Sequence, residues 1–549
     1  MAFATAHDLP NSNMKLDAPI RLVAGINKEV DATPKLHITF VRGPIISSAG
    51  AINNEATPSI AFAYLTAFLE KQGYRTRVVD AIGEGIGHFW HLKQRAGFIA
   101  QGLTFDEIIS RIPVETDVIG ISAMFSGEWP VTRDLINAIR LRFPRQIIIA
   151  GGEHVTALPE FSLRDCPALD YCVRGEGEYP LFELLEILRK HDDPTLAPSV
   201  AFLKANGEYH NPSQMTRIKT IDEIPWPKWP ADYLENFWNA GKSYGVWTKR
   251  DMPFMASRGC PYQCTFCSNP QMWSTRYILR DVEDVISEIK HYLREFQITS
   301  LQFYDLTAIT RKQWTVDFCK ALIREGIQIN WSLPSGTRSE ALDAETLALL
   351  KQTGCNYLVY APETGSQRTA DIIKKRIKLP KFTESVMQAK AVGLVLRTNL
   401  IIGFPHENRK DVFATVMYGL RLALRGVDEV SINIFSPYPG SEIFMDLAQQ
   451  GKVTLNDEYF YSLTSLNSDY TTLNHKTVNA NMGERELALY RIFFLLANYL
   501  VGYLAYPTRI IRSLKNIFLN GYSSTTVFEH RLRDRRNRAI IGATEPDNI

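Results

Sequence analysis

Short apolar runs alternate with longer amphipathic stretches along most of this chain. Runs at His37–Arg42 (HITFVR), Arg75–Asp80 (RTRVVD), 118–124 (VIGISAM), 146–152 (QIIIAGG) and 171–177 (YCVRGEG) read as strands. The segments 59–72 and 131–143, and a stretch from Leu181, repeat at helical period. Strands separated by helices predict a doubly wound α/β domain, because parallel neighbours need a crossover connection. The segment PWPKWP at 225–230 is stiff and predicts an interdomain connection. Beyond it the alternation restarts, with strands expected at 253–259, 300–305, 329–335, 357–363, 396–405 and 429–436. Helical patterns near 281–295, 312–325, 343–353, 380–392 and 410–425 separate them. This repetition predicts a partial parallel (β/α)6 barrel. The expected organisation is a lead-in at 1–34, an α/β domain at 35–215, a linker at 216–250, the barrel at 251–450 and a helical C-terminal region at 451–549. The arginine-rich run HRLRDRRNR at 530–538 reads as a solvated face.

With 549 residues, 45% of them hydrophobic, the chain exceeds one ordinary core, in keeping with two large domains. A net charge of +2, from 61 basic and 59 acidic residues, creates no field of the kind that gathers nucleic acid. Seven cysteines, an odd number with three crowded into one loop, argue against a disulfide framework. No secretory pattern opens the sequence, and the expected setting is reducing cytoplasm. The apolar stretch FFLLANYLVGYLAY at 493–506 falls short of the roughly 20 residues of a bilayer span and reads as a buried helix, with membrane-surface contact as the alternative. No transmembrane segment is expected.

Within 258–267 (RGCPYQCTFC), Cys260, Cys264 and Cys267 follow the first barrel strand, at the barrel end where active sites gather. Three thiolates are one short of a closed site. A 4Fe-4S cluster held by three cysteines keeps one iron open for a small molecule, whereas structural zinc closes its tetrahedron with a fourth Cys or His. No histidine follows at zinc-finger spacing.

This loop and its setting resemble the radical S-adenosylmethionine (SAM) superfamily, and specifically its cobalamin-binding class, over about residues 35–450. The resemblance implies that the open iron chelates SAM, and that one electron from the cluster, delivered by a donor such as flavodoxin or ferredoxin, splits the sulfonium to a 5′-deoxyadenosyl radical. It also implies roles for barrel residues. Phe266 would pack by the adenine. Asp305, after Tyr304, would accept from the methionine amino group. Glu363 in YAPETGS would bind the ribose hydroxyls, and Gly403 and Pro405 in IIGFP would form the turn beside the adenine. The stretch PYPGS at 437–441 closes the sixth strand. Each position alone is as consistent with a solvated or capping residue; their order on one barrel face favours function.

The first domain resembles the cobalamin-binding fold, whose motifs are D-x-H-x-x-G, S-x-L and G-G. Asp80 to Gly85 fit the first, with Ile82 where histidine is expected; Ser122 and Met124 fit the second, and Gly151 and Gly152 the third. Glu176 lies in a glycine–glutamate loop like that of the class. The glycines would let the cofactor approach the backbone closely. Isoleucine offers cobalt no lone pair, so bound cobalamin is expected without a protein imidazole from this motif. Met124 or Phe125 would approach that face, unless Met124 is core. A packing or regulatory module is the bland alternative for the whole domain.

The leading expectation is methylation of an unactivated carbon on a small molecule, with one SAM methylating cobalamin and another supplying the radical. A rival keeps both cofactors for ring closure, oxidation or rearrangement, and a third reading is a non-catalytic cobalamin or redox sensor. Methylthio transfer to transfer RNA fits less well, since only Cys166 and Cys172 precede the barrel. Trp273, Tyr277, Trp314 and the 493–506 stretch would suit a lipid or tetrapyrrole, and equally an ordinary core.

Overall fold

The computed structural model describes residues 20–23, 34–51, 56–244, 248–465 and 476–518, with Thr526, Glu529 and Leu532. The first sheet follows the expected alternation. In spatial order its parallel strands are Tyr171–Val173, Ile147–Gly151, Val118–Ser122, His37–Arg42 and Arg75–Asp80, and antiparallel Val200–Leu203 and Tyr209–His210 extend one edge. The central strands are apolar on both faces because helices cover both: Val118, Ile119, Ile148 and Ala150 are fully buried. The chain's winding reverses between His37–Arg42 and Val118–Ser122, so the crevice beyond their carboxyl ends is where such a sheet takes ligands.

The second sheet is an all-parallel open barrel of six strands, Asp251–Phe254, Ser300–Phe303, Asn330–Thr337, Cys355–Glu363, Val395–Ile402 and Glu429–Ile434, in sequence order. Several of its helices start at polar caps. The Asp281 carboxylate accepts from the backbone N–H groups of Glu283 and Asp284, and Asn408 with Asp411 forms a reciprocal box at Arg409–Leu424.

Several expectations need correction. The lead-in contains a strand, Ile20–Val23, paired in parallel with Met215–Ile218. The first barrel strand is interrupted, because Ser257–Arg258 turns away to pair antiparallel with Ile278–Leu279. A small antiparallel sheet of Ile45–Ser48, Phe98–Gln101 and Phe89–His91 was not foreseen. The proline-rich connection is stapled to both sides: Lys228 N–H donates to Ala63 O at 3.0 Å and Trp226 Nε1 to Asp284 at 3.1 Å.

The 493–506 stretch belongs to a longer helix, Glu484–Ala505, which by length and composition could cross a membrane. It lies instead along the barrel helix Arg409–Leu424 and the last barrel strand, burying Arg491, Phe494 and Asn498 and leaving a row of leucines outside. The expected buried helix is therefore buried on one face only. Of the 530–538 run, all but Leu532 lies outside the described residues.

Candidate functional site

The cysteine loop is held from several sides. Gly259 has φ +85°, and a Cβ there would lie 2.1 Å from Arg276 O, so only glycine turns the chain into Cys260. Arg338 stacks its guanidinium 3.6 Å from the centroid of Tyr262, Thr265 N–H donates to Ile373 O, and Ile443 N–H donates to Thr265 O. All seven cysteines are free thiols. Burial pushes the thiols of Cys260, Cys264 and Cys267 up, Cys267 to about 12, while Lys375 and Arg338 pull Cys260 and Cys264 back toward thiolate. Cys260 senses the charge of Cys264, and Cys267 that of both Cys260 and Cys264. Three cysteines in one loop suit a cluster that keeps one iron open, whereas structural zinc would need a fourth ligand.

Glu363 ends the fourth barrel strand after a register shift, at φ +68°, a conformation a glutamate adopts only when its surroundings impose it. Its buried carboxylate accepts from Lys375 Nζ at 2.8 Å. Burial works against the Lys375 charge, but Glu363 and Cys264 outweigh it and raise its pKa. Neither Lys375 nor Arg338 stands in a motif that marks it.

Phe266 packs edge-to-face on Phe404, 5.8 Å between centroids. Gly403 has φ +87°, and the buried Glu407 shapes its turn by accepting from Gly403 N–H (2.7 Å) and Phe404 N–H (3.1 Å). Pro405 O accepts from Ala480 N–H. Glu407 was missed in sequence; the signal was a glutamate shortly after a glycine turn, too common to single out.

Asp305 is positioned otherwise than expected. Its carboxylate accepts from Ala256 N–H and the Ser257 hydroxyl, and it lines a small cavity with Trp314, Phe318 and Trp331 between sheet and helix. Burial pushes it up to about 6. Tyr304, its neighbour, meets Tyr244 edge-on and senses Arg42 and Thr57 of the first domain.

In the first domain, Asp80 is likewise engaged by protein. It caps Ile82 N–H, accepts from Tyr233 OH at 2.5 Å and faces Arg42 at 3.4 Å. Ile82 is buried in a core shared with Tyr233 and Phe237. Gly85 is required by packing, since a Cβ would lie 2.6 Å from Leu103 N, and Gly152 (φ +123°) lets its loop approach Ala123 O. Gly151 pairs with Ser122 at the sheet edge, where a Cβ would meet only Val173 O, at 3.9 Å. Glu176 sits in a buried ionic knot with Arg217 and Arg258 and accepts from Ile218 N–H at 2.7 Å. The carboxylates of Asp80 and Glu176 are thus committed to protein contacts. Met124 and Phe125 are not core: they are 37% and 52% exposed at the ligand edge of the sheet. His154 is buried against Trp129, its Nδ1 3.0 Å from Ser126 Oγ, and loss of solvent lowers its pKa to about 3.

The ligand edges of the two sheets face one another. Ser126 N–H donates to Tyr438 OH at 2.9 Å, linking the loop after Val118–Ser122 to the loop after the sixth barrel strand. Ser268, adjacent to Cys267, donates its hydroxyl to Glu153. Cysteine loop, Glu363 and the Met124–Phe125 edge therefore border one interdomain region.

Residues 255–418 match the Radical SAM superfamily and residues 54–185 the B12 binding domain. The chain is 28% identical over 410 residues to an uncharacterized methyltransferase of Pyrococcus horikoshii, covering 74% of this chain and 82% of that protein. It is 26% identical over 440 residues to cytidylyl-2-hydroxyethylphosphonate methyltransferase of Streptomyces wedmorensis, covering 74% and 81%. In fold it is similar to a radical S-adenosylmethionine methyltransferase of Kitasatospora setae solved with cobalamin and a 4Fe-4S cluster: TM-score 0.62 at 14% identity, covering 93% of this chain and 100% of that one.

Proposed function

We propose that the chain is a radical SAM enzyme with a B12-binding domain that uses a 4Fe-4S cluster, SAM and cobalamin to methylate an unactivated carbon of a small-molecule substrate. One observation carries this reading: the cysteine loop and the ligand edge of the first sheet are joined directly, through Ser268–Glu153 and Ser126–Tyr438. A sensor would need only one of the two edges, whereas transfer between two cofactors needs both at one substrate.

When bound, the cluster supplies one-electron cleavage of SAM and cobalamin carries a methyl group. The residues then divide the work. Cys260, Cys264 and Cys267 hold the cluster and leave one position open. Glu363 offers carboxylate oxygens to ribose hydroxyls, held in place by its contact with Lys375. Gly403 and Pro405, fixed by Glu407, form the turn against which Phe266 and Phe404 present an apolar wall. Ser122, Met124, Gly151 and Gly152 line the edge offered to the corrin. Asp80 and Glu176 act one step removed, by fixing the backbone around that edge, and Asp305 by fixing Ala256 and Ser257.

The reading is tested by comparing metabolite extracts of a deletion strain and its parent by mass spectrometry. The expected result is accumulation of a compound lighter by one CH2, which the purified, reconstituted protein converts to the heavier one with release of 5′-deoxyadenosine. Turnover without gain of CH2 would replace methylation by another radical reaction.

A further inference from the structure

The two C-terminal helices carry apolar residues on the face turned away from the protein. Glu484–Ala505 turns Arg491 and Asn498 toward the barrel and exposes Leu489, Phe493, Leu496, Leu500 and Leu504, each between 59% and 73% exposed. The shorter helix Thr508–Phe518 goes further and buries only polar residues. Arg509 is buried, donating to Gly426 O at 2.7 Å and Val427 O at 3.0 Å, and Ser513 and Asn516 are buried against Glu529. Its outer face is Ile510, Ile511, Leu514 and Phe518. A helix in water normally solvates its polar face; here the first helix exposes a leucine row in addition to its buried face and the second exposes its apolar side outright, and the two form an apolar surface continuous across the Pro507 corner. Partly buried Tyr499, Tyr503 and Tyr506 flank it, rings suited to the boundary between an apolar phase and water.

Charge identifies what covers this surface. Residues 508–538 contain eight Arg and Lys against two acidic residues, in a chain whose net charge is only +2. Within Thr508–Phe518 there is no acidic residue, and Lys515 is exposed beside Leu514. Two copies meeting through this face would bring two basic segments together, whereas an anionic lipid surface attracts them. Spanning is disfavoured, because Glu484–Ala505 is locked to the barrel: a Cβ on Gly419 would lie 2.6 Å from Phe494, and Arg491 and Asn498 face protein. We propose that the outer face of Glu484–Ala505 and Thr508–Phe518 docks the enzyme, without spanning, on the surface of an anionic phospholipid bilayer.

The test is flotation of the full-length protein with vesicles of phosphatidylcholine alone or with about 30% phosphatidylglycerol, at low and high salt. Wild-type protein is expected to float with the anionic vesicles and to be released by salt or by omission of the anionic lipid. A variant carrying Leu496→Gln, Leu500→Gln, Ile511→Gln and Leu514→Gln, all at exposed positions, should lose at least about tenfold in partitioning with an unchanged circular-dichroism spectrum. Wild-type protein that stays at the bottom of the gradient under every condition overturns the proposal, without recourse to any variant. So does a wild-type dimer in vesicle-free light scattering that the four substitutions turn into a monomer, for the face would then be covered by a second copy.

Discussion

Replacing Lys375 with methionine keeps most of the side-chain volume but removes the only cation within hydrogen-bond reach of Glu363 among the described contacts of that carboxylate. The pair is buried, Glu363 at 8% and Lys375 at 7% exposure, with 2.8 Å between the charged atoms. Losing one partner of such a pair costs about 3–5 kcal/mol, because the other charge stays in a poorly solvated site. Removing both is cheaper than the sum of the single losses. In urea unfolding of the cluster-free protein, Lys375→Met should therefore lose about 3 kcal/mol or more, and the Lys375→Met/Glu363→Gln double variant should recover part of it, giving a coupling of at least about 2 kcal/mol. A coupling under about 0.5 kcal/mol would refute the reasoning, showing that each charge finds solvent without the other. A second readout separates structure from binding. Glu363→Gln in the cluster-loaded protein should weaken SAM binding about ten- to a hundredfold, the worth of a charge-assisted hydrogen bond, and unchanged affinity would leave Glu363 as a partner of Lys375 alone.

Alanine at Cys260, Cys264 or Cys267 should abolish the brown iron–sulfur absorbance, whereas alanine at Cys319 or Cys355, both buried in the barrel core, should preserve it; a clusterless Cys319→Ala protein would break the ligand assignment. His154, with a folded pKa of about 3 against an ordinary 6.5, binds its proton only when the chain unfolds, so its contribution is complete above pH 6.5 and is lost as pH falls toward 3. Unfolding free energy between pH 6 and 4 should fall by up to about 1.4 kcal/mol per unit more steeply in the parent than in His154→Phe, and equal slopes would show the imidazole to be solvated. With Ile82 buried and His154 held between Trp129 and Ser126, Co(II) cobalamin on the protein should give cobalt hyperfine lines in paramagnetic resonance without the triplet splitting of an axial nitrogen; such splitting would point to His88 or to the cofactor's own base.

The alternation of parallel strands and helices was legible because both faces of those strands are covered, which leaves continuous apolar runs: the strand expected at 357–363 is Cys355–Glu363, and that at 429–436 is Glu429–Ile434. The cysteine loop was legible for a different reason, since three ligands fit into eight consecutive residues. What escaped is what depends on distant contacts. Tyr438 meets Ser126 across 312 residues, and Ser268 meets Glu153 across 115. Asp80 and Glu176 occupy motif positions, yet Tyr233, Arg42, Arg217 and Arg258 reach their carboxylates, and no local pattern announces that. Short strands such as Phe89–His91 lack the length to show a period, and the apolar run at 493–506 showed hydrophobicity without showing which way it faced.

The ionic knot beside the cysteine loop bears on how this chain can be inherited. Arg258, two residues before Cys260, reaches Glu178 at 2.6 Å and Glu176 at 3.5 Å, and Arg217 completes the group, all of them buried. A gene cut in the proline-rich connection would part Arg258 from the three others, so that each fragment loses the partners that compensate its charges in the joined chain. The two halves are therefore poor currency for recombination. A first domain taken from a paralogue with another arrangement of these charges would misfit at the strand that leads into the cysteine loop, so the halves of this enzyme are expected to descend as a matched pair.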